Sequence, residues 1–370
     1  MGSIRAQSLS SIPSRCGAPA LDPLPGLTVV PRYTEIHRAR CTPHGAPFPV
    51  TCNEPRQIGD RSQLNAYHNG PEASLRNPSP AVPEVDISFP RPHVLLITLN
   101  RPRHLNSIPS ELHYTLASLY DWYDAEPSLR CAVLTGTGRA FCAGADLKEW
   151  NVRNTSGKPP TPSSVGADPT PAVVTPSDAL GNPGDKWRPS AGFGGLSNRG
   201  GKKPVIAAVN GLCLGGGMEM IINADLVYAS TKAKFGLPEV TIGVIAVAGA
   251  LPRLIKSVGR QRASEMALLG RSDYTPEQML AWGLVNQVVP PDSLMETALS
   301  AAEAIARNSP DSVIVSREGL KSGWEPMGPG EATAVVDQGI YRLMEAGENM
   351  TEGVKSFVEK RKPVYKDSKL

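Results

Sequence analysis

Two stretches of this chain share one plan, and that plan restricts the fold more than any other feature. At 140–150 the sequence reads AFCAGADLKEW, and at 210–220 it reads NGLCLGGGMEM. Each follows an apolar, β-rich run (CAVLTG at 131–136, KPVIAAVNG at 203–211), passes small residues through a tight turn and enters helical spacing. A strand that becomes a helix so abruptly leaves backbone N–H groups unpaired at the helix start. The glycine run Gly215-Gly216-Gly217 is entropically costly to order, so the fold must need the backbone bare there.

The rest of the chain extends this pattern. HVLLITLN (93–100) reads as the first strand, and ELHYTLASLYDWYDAEP (111–127) has helical spacing, with Leu112, Leu116, Leu119 and Tyr123 on one face. After the glycine run, MEMIINAD reads as a short helix and LVYAS as a further strand. RASEMALLG, TPEQMLAWG and SLMETALSAAEAIARNS then read as helices, the second opened by Thr275 as cap and Pro276 as first helical residue. Strands alternating with helices, then helices alone, predict an α/β core followed by a helical C-terminal part. Residues 1–85, rich in Pro, Ser, Arg and Asn without apolar period, read as a disordered extension. The core spans 86–290 and the helical region 291–370. Within the core, 151–200 holds eight prolines and eight glycines and reads as a mobile loop or an insertion.

Composition narrows the chemistry. A net charge of +3 over 370 residues gives no reason to expect nucleic acid as a partner, and no apolar stretch approaches the length of a membrane span. The six cysteines form no C-x-x-C pair and read as reduced thiols. There is no G-x-S-x-G elbow and no Walker A lysine, and metal ligands at useful spacing are absent. All six histidines lie at or before His113. If the chain is an enzyme, carboxylates and backbone groups are the expected tools, with no metal and no cofactor. Two strand–turn–helix units side by side would aim two N–H donors at one oxygen, as an enolate forming on a thioester carbonyl requires.

ITLNRPRHLNS (97–107), AFCAGADLKE (140–149), KPVIAAVNGLCLGGGMEM (203–220), FGLPEVTIGV (235–244) and FVEKRKPVYKD (357–367) together resemble the crotonase, or enoyl-CoA hydratase/isomerase, superfamily. The resemblance runs from about Ile87 to the C-terminus, broken at 151–200. It implies a spiral of ββα units ending in helices that pack between subunits, in homotrimers or hexamers. Ala145 and Gly216 would supply the oxyanion-hole N–H groups. Coenzyme A, a part of the substrate rather than a cofactor, would lie along Arg103 to Leu105 and along Ala145, Asp146, Leu147 and Lys148, with Lys360 as a further phosphate contact.

Glu219 and Glu239 fall on the family's two acid positions. Adding water to a conjugated C=C needs one group to hold the water and another to protonate the α-carbon. Glu239 is assigned the proton delivery and Glu219 the water, so the leading reading is hydration of 2-enoyl-CoA to 3-hydroxyacyl-CoA. The alternatives are isomerisation of 3-enoyl-CoA with Glu239 alone and a non-catalytic binding protein. Where hydratases of the family usually carry Pro-Gly-Ala-Gly-Gly, this chain has Ala246-Val247-Ala248-Gly249-Ala250, a loop bordering the acyl end of the pocket. Ser368-Lys369-Leu370 reads as a signal for the peroxisomal import receptor. MGSIRAQSLSSIPSR mildly resembles a mitochondrial transit peptide, which leaves the mitochondrion as the alternative.

Overall fold

Apolar strands that are buried along their whole length need cover on both faces, and the central strands here have it. The computed structural model describes residues 75–149, 151, 190–324 and 327–370. The expected extension up to residue 74 and the expected insertion from 152 to 189 lie outside these residues. Strands β1 (Val85–Arg91), β2 (Val94–Leu99), β3 (Cys131–Gly136) and β4 (Ala140–Cys142) are followed by β5 (Val205–Val209) and β6 (Leu212–Leu214). Further strands are β7 (Leu226–Ser230), β8 (Lys234–Gly236) and β9 (Gln287–Val289). They form a larger sheet ordered β1-β2-β3-β5-β7-β9 and a smaller one ordered β4-β6-β8. Among the described strands, only β1 runs antiparallel to its neighbour.

The chain thus passes from the larger sheet to the smaller one three times, at β3 to β4, β5 to β6 and β7 to β8. This is the expected spiral of ββα units. Alternate side chains of each strand point to opposite faces. Leu95 and Ile97 join the main core with Phe141, Cys213 and Phe235 of the smaller sheet. Helix α1 (Ser110–Ala125) adds Leu112, Leu116, Leu119 and Tyr123 to that core. Val94, Leu96, Val133 and Ile206 pack on the other face against a C-terminal helix through Ala298, Leu299 and Ala302. Cys131, Cys142 and Cys213 are buried free thiols.

Helix α2 (Gly216–Ile222) starts inside the glycine run, two residues ahead of the MEMIINAD reading, because space rather than propensity decides its first turn. Helices α3 (Ala250–Val258), α4 (Arg260–Leu269) and α5 (Pro276–Ala281) follow, and α5 carries the expected cap: Gln278 N–H donates to Thr275 Oγ1 and Thr275 N–H to Gln278 Oε1. The C-terminal part holds α6 (Leu294–Ala306), α7 (Pro310–Trp324), α8 (Pro329–Gln338), α9 (Ile340–Glu345) and α10 (Glu348–Val358).

Two boundaries read from the sequence move. Order begins ahead of 93–100: β1 pairs with β2 from Val85, and the Arg76 and Asn77 N–H groups donate to Glu126 Oε2. The stretch Ala191–Gly200 is core rather than insertion, with Phe193, Leu196 and Ser197 buried. Its backbone bonds are local turns, Asn198 N–H to Ala191 O and Ser197 N–H to Phe193 O, which leave no apolar period to read.

Candidate active site

Each glycine of the 215–217 run has its own tertiary reason. Gly215 has φ +54°, and a Cβ there would lie 3.2 Å from Glu239 Oε1. A Cβ on Gly216 would fall 2.4 Å from the Phe193 ring, and one on Gly217 would fall 2.2 Å from the Cys142 carbonyl oxygen. The other turn abuts this one: a Cβ on Gly144, whose φ is +98°, would sit 3.2 Å from Gly216 N. The two strand–turn–helix units are therefore in backbone contact.

That contact sets the direction of two N–H groups. Gly216 is the first residue of α2, so its N–H precedes the intrahelical ladder. Ala145 forms a parallel bridge with Ile108, in which Ile108 N–H donates to Gly144 O (2.9 Å) and Asp146 N–H donates to Ile108 O (3.2 Å). In such a bridge the central residue of the opposite strand, here Ala145, turns its own N–H away from its partner.

The two acids stand on different walls of one cavity of about 230 Å³, together with Ala145, Leu147 and Gly216. Glu219, one turn into α2, is buried, and its Oε2 accepts the N–H of Ala250 at 3.3 Å. Ala250 is the first residue of α3, so the carboxylate is held by a helix-start N–H. Glu239 lies in a short 3-10 turn, Pro238–Ile242, closed by Gly243 in the left-handed region. Its Oε2 is buried and has no hydrogen-bond partner among the described residues. Burial pushes the Glu239 carboxyl above the usual carboxylate range, against a smaller opposing effect of its own backbone N–H. Ile242, Val244, Ile245 and Val247 complete an apolar wall. The Ala246–Ala250 segment thus reaches the cavity through Val247 and reaches Glu219 through Ala250.

Leu105 adopts φ 52°, and its carbonyl accepts the N–H of the cavity residue Ala143 at 3.0 Å. Arg103 and Lys148 are exposed. The Asp146 carboxylate is engaged with Arg101 at 3.2 Å and with Lys148 N–H at 3.2 Å. Lys360, exposed in the turn after α10, does not line the cavity.

Sequence reading missed three residues that the fold brings here. Phe193 lines the cavity and packs edge-on against His113, with ring centroids 4.5 Å apart. The buried His113 accepts Gly194 N–H through Nδ1 at 2.9 Å. Ser197, wholly buried, accepts Phe193 N–H and donates to Ala248 O, both at 2.7 Å. The run Gly192-Phe193-Gly194-Gly195, with three left-handed glycines, was the one available signal.

Comparison with known proteins shows the family. The family model for enoyl-CoA hydratase/isomerase matches residues 91–164 and 197–368. A mevalonyl-coenzyme A hydratase of Beauveria bassiana is 62% identical over 292 residues, which is 79% of this chain and 98% of that protein. A mevalonyl-coenzyme A hydratase of Aspergillus fumigatus is 50% identical over the same shares of the two chains. The crystal structure of an enoyl-CoA hydratase from Bacillus anthracis superposes with a TM-score of 0.62 at 30% identity, covering 77% of this chain and all of the other. The chain belongs to the enoyl-CoA hydratase/isomerase family of the crotonase superfamily.

Proposed function

We propose that this protein interconverts 3-hydroxyacyl-CoA and 2-enoyl-CoA plus water, with mevalonyl-CoA as its hydroxyacyl substrate. The observation that carries the reading is the convergence of both acids and both bare-N–H turns on one small, largely apolar cavity. The substrate rests on the two fungal relatives named for mevalonyl-CoA. Mevalonyl-CoA bears its leaving hydroxyl on a methyl-branched C3, compact enough for short apolar walls such as Val244, Ile245 and Val247.

In the dehydration direction the thioester carbonyl accepts the N–H groups of Ala145 and Gly216. The Glu239 carboxylate takes a proton from C2, and the C2 electron pair forms the C2–C3 double bond as the C3–O bond breaks. Glu219 gives its proton to the departing oxygen, which leaves as water. Hydration reverses each transfer. A neutral Glu239 is then the proton donor, and its burial favours that form. An isomerase would need only Glu239, whereas here Glu219 is buried in the same cavity and held by Ala250. The hydroxyl-bearing reaction therefore stands ahead of isomerisation.

Two further readings belong to this proposal. Delivery to the peroxisome is supported by Ser368-Lys369-Leu370 alone. Assembly into homo-oligomers is supported by exposed apolar residues of the C-terminal helices, among them Leu343, Phe357 and Val358.

Purified protein mixed with mevalonyl-CoA tests the reading. Conjugated thioester absorbance should appear, with a higher kcat/KM than for an unbranched 3-hydroxyacyl-CoA. An unbranched preference would remove the substrate, and no change with any 3-hydroxyacyl-CoA or 2-enoyl-CoA would remove the activity.

A further inference from the structure

We infer that Ser197 is a positioning residue for Glu219, acting through the loop that carries the first N–H of α3. The inference rests on the hydratase reading and extends it to a side chain outside the cavity.

The Ser197 hydroxyl has no exposure and makes two short bonds, accepting from Phe193 N–H and donating to Ala248 O, both at 2.7 Å. Both partners lead into the site. Phe193 presses its ring on Gly216, where a Cβ would come within 2.4 Å of it. Ala248 lies two residues ahead of Ala250, whose N–H holds the Glu219 carboxylate at 3.3 Å. Space around the hydroxyl is closed: a Cβ on Gly192 would lie 2.4 Å from Ser197 Oγ, and one on Gly249 would lie 2.9 Å from Ser197 O. Asn223 Nδ2 ties the adjacent Leu196 carbonyl to the end of α2 at 2.8 Å. One hydroxyl thus joins the wall bearing the oxyanion turn to the wall that orients the water-holding acid. Without it, Phe193 N–H and Ala248 O lose a partner in a place water does not reach, and the Ala246–Ala250 loop is free to shift.

The experiment compares wild type, Ser197→Ala, Glu219→Gln and the double variant. Wild-type turnover of a 2-enoyl-CoA tests the hydratase reading on its own, and its absence would defeat that reading. With turnover established, Ser197→Ala should lower kcat about 10- to 100-fold while KM moves less than about threefold. Calorimetric affinity for the 3-hydroxyacyl-CoA product should stay within the same margin. In the Glu219→Gln background the same substitution should cost less than about twofold, because the group it positions no longer does its work. Equal losses in both backgrounds, or a kcat per folded site unchanged from wild type, would overturn the inference. Far-UV circular dichroism and a titration of binding sites give the folded fraction, and product affinity lost together with kcat would also overturn it.

Discussion

The two acid-bearing walls of the cavity are built in opposite ways. Around Glu219 everything is closed: Gly216 and Gly217 have no room for a methyl group, and the carboxylate is buried and held by Ala250 N–H. Around Glu239 the backbone is a five-residue turn bearing exposed Val240 and Ile242, and a Cβ on its closing Gly243 would meet nothing within 4 Å among the described residues. One carboxyl oxygen of Glu239 is buried without a partner among the described residues. The difference matches the proposed division of labour. A water molecule must be held in one place, which suits a fixed acid with a hydrogen-bonded carboxylate. A proton donor must be neutral at working pH, which suits an acid set among apolar groups.

The largest expected effect comes from removing the titrating group. Glu239→Gln should lower kcat for hydration by about 1,000-fold, followed as loss of conjugated thioester absorbance, with little change in product affinity. Glu219→Gln should cost about 100-fold in the same assay. An isomerase working through Glu239 alone would be insensitive to that second substitution.

Glycine substitutions sharpen the contrast in stiffness. Gly217→Ala forces a methyl to within 2.2 Å of the Cys142 carbonyl oxygen and should destabilise the fold by at least about 1–3 kcal/mol, seen as a fall in Tm. Gly243→Ala meets no atom of the described residues and carries the strain of its +74° φ, about 1 kcal/mol. If the two variants melted alike, the account of one rigid and one loose wall would fail.

The smallest effect is a pH dependence of stability. The unfolded chain loses the Glu239 proton near pH ~4.3, whereas the folded chain keeps it to higher pH. Stability from this group is therefore full below the unfolded pKa and falls as pH rises through the folded one. Glu239→Gln should gain Tm relative to wild type at neutral pH and lose that advantage under acid conditions. In hydration, wild-type kcat should fall as pH rises through the Glu239 pKa.

Much of this was legible in the sequence because the decisive residues lie in short local patterns. The strand–turn–helix plan, the Thr275-Pro276 cap and the two acids could be read without knowing what packs against what. Phe193 and Ser197 could not. Their segment owes its shape to contacts far along the chain: a Cβ on Gly194 would meet Met220 Sδ at 2.4 Å, and one on Gly195 the Ala117 backbone at 2.5 Å. In sequence those glycines merge with the Pro- and Gly-rich stretch before them. β1 was missed although Val85, Ile87 and Phe89 alternate with Asp86 and Ser88, because Pro83, Pro90 and Pro92 punctuate the run, and an edge strand tolerates such prolines. Glu219 was legible as an acid, whereas the N–H that holds it belongs to Ala250, thirty-one positions away.

The central claim is that the two walls act together to move water. The most direct test is the mass of the product formed from a 2-enoyl-CoA by the full chain in deuterated, heavy-oxygen water. The expected product carries one heavy oxygen on C3 and one deuterium on C2. A product of unchanged oxygen content, with deuterium exchanged and the double bond moved, would contradict the claim and leave Glu239 working alone.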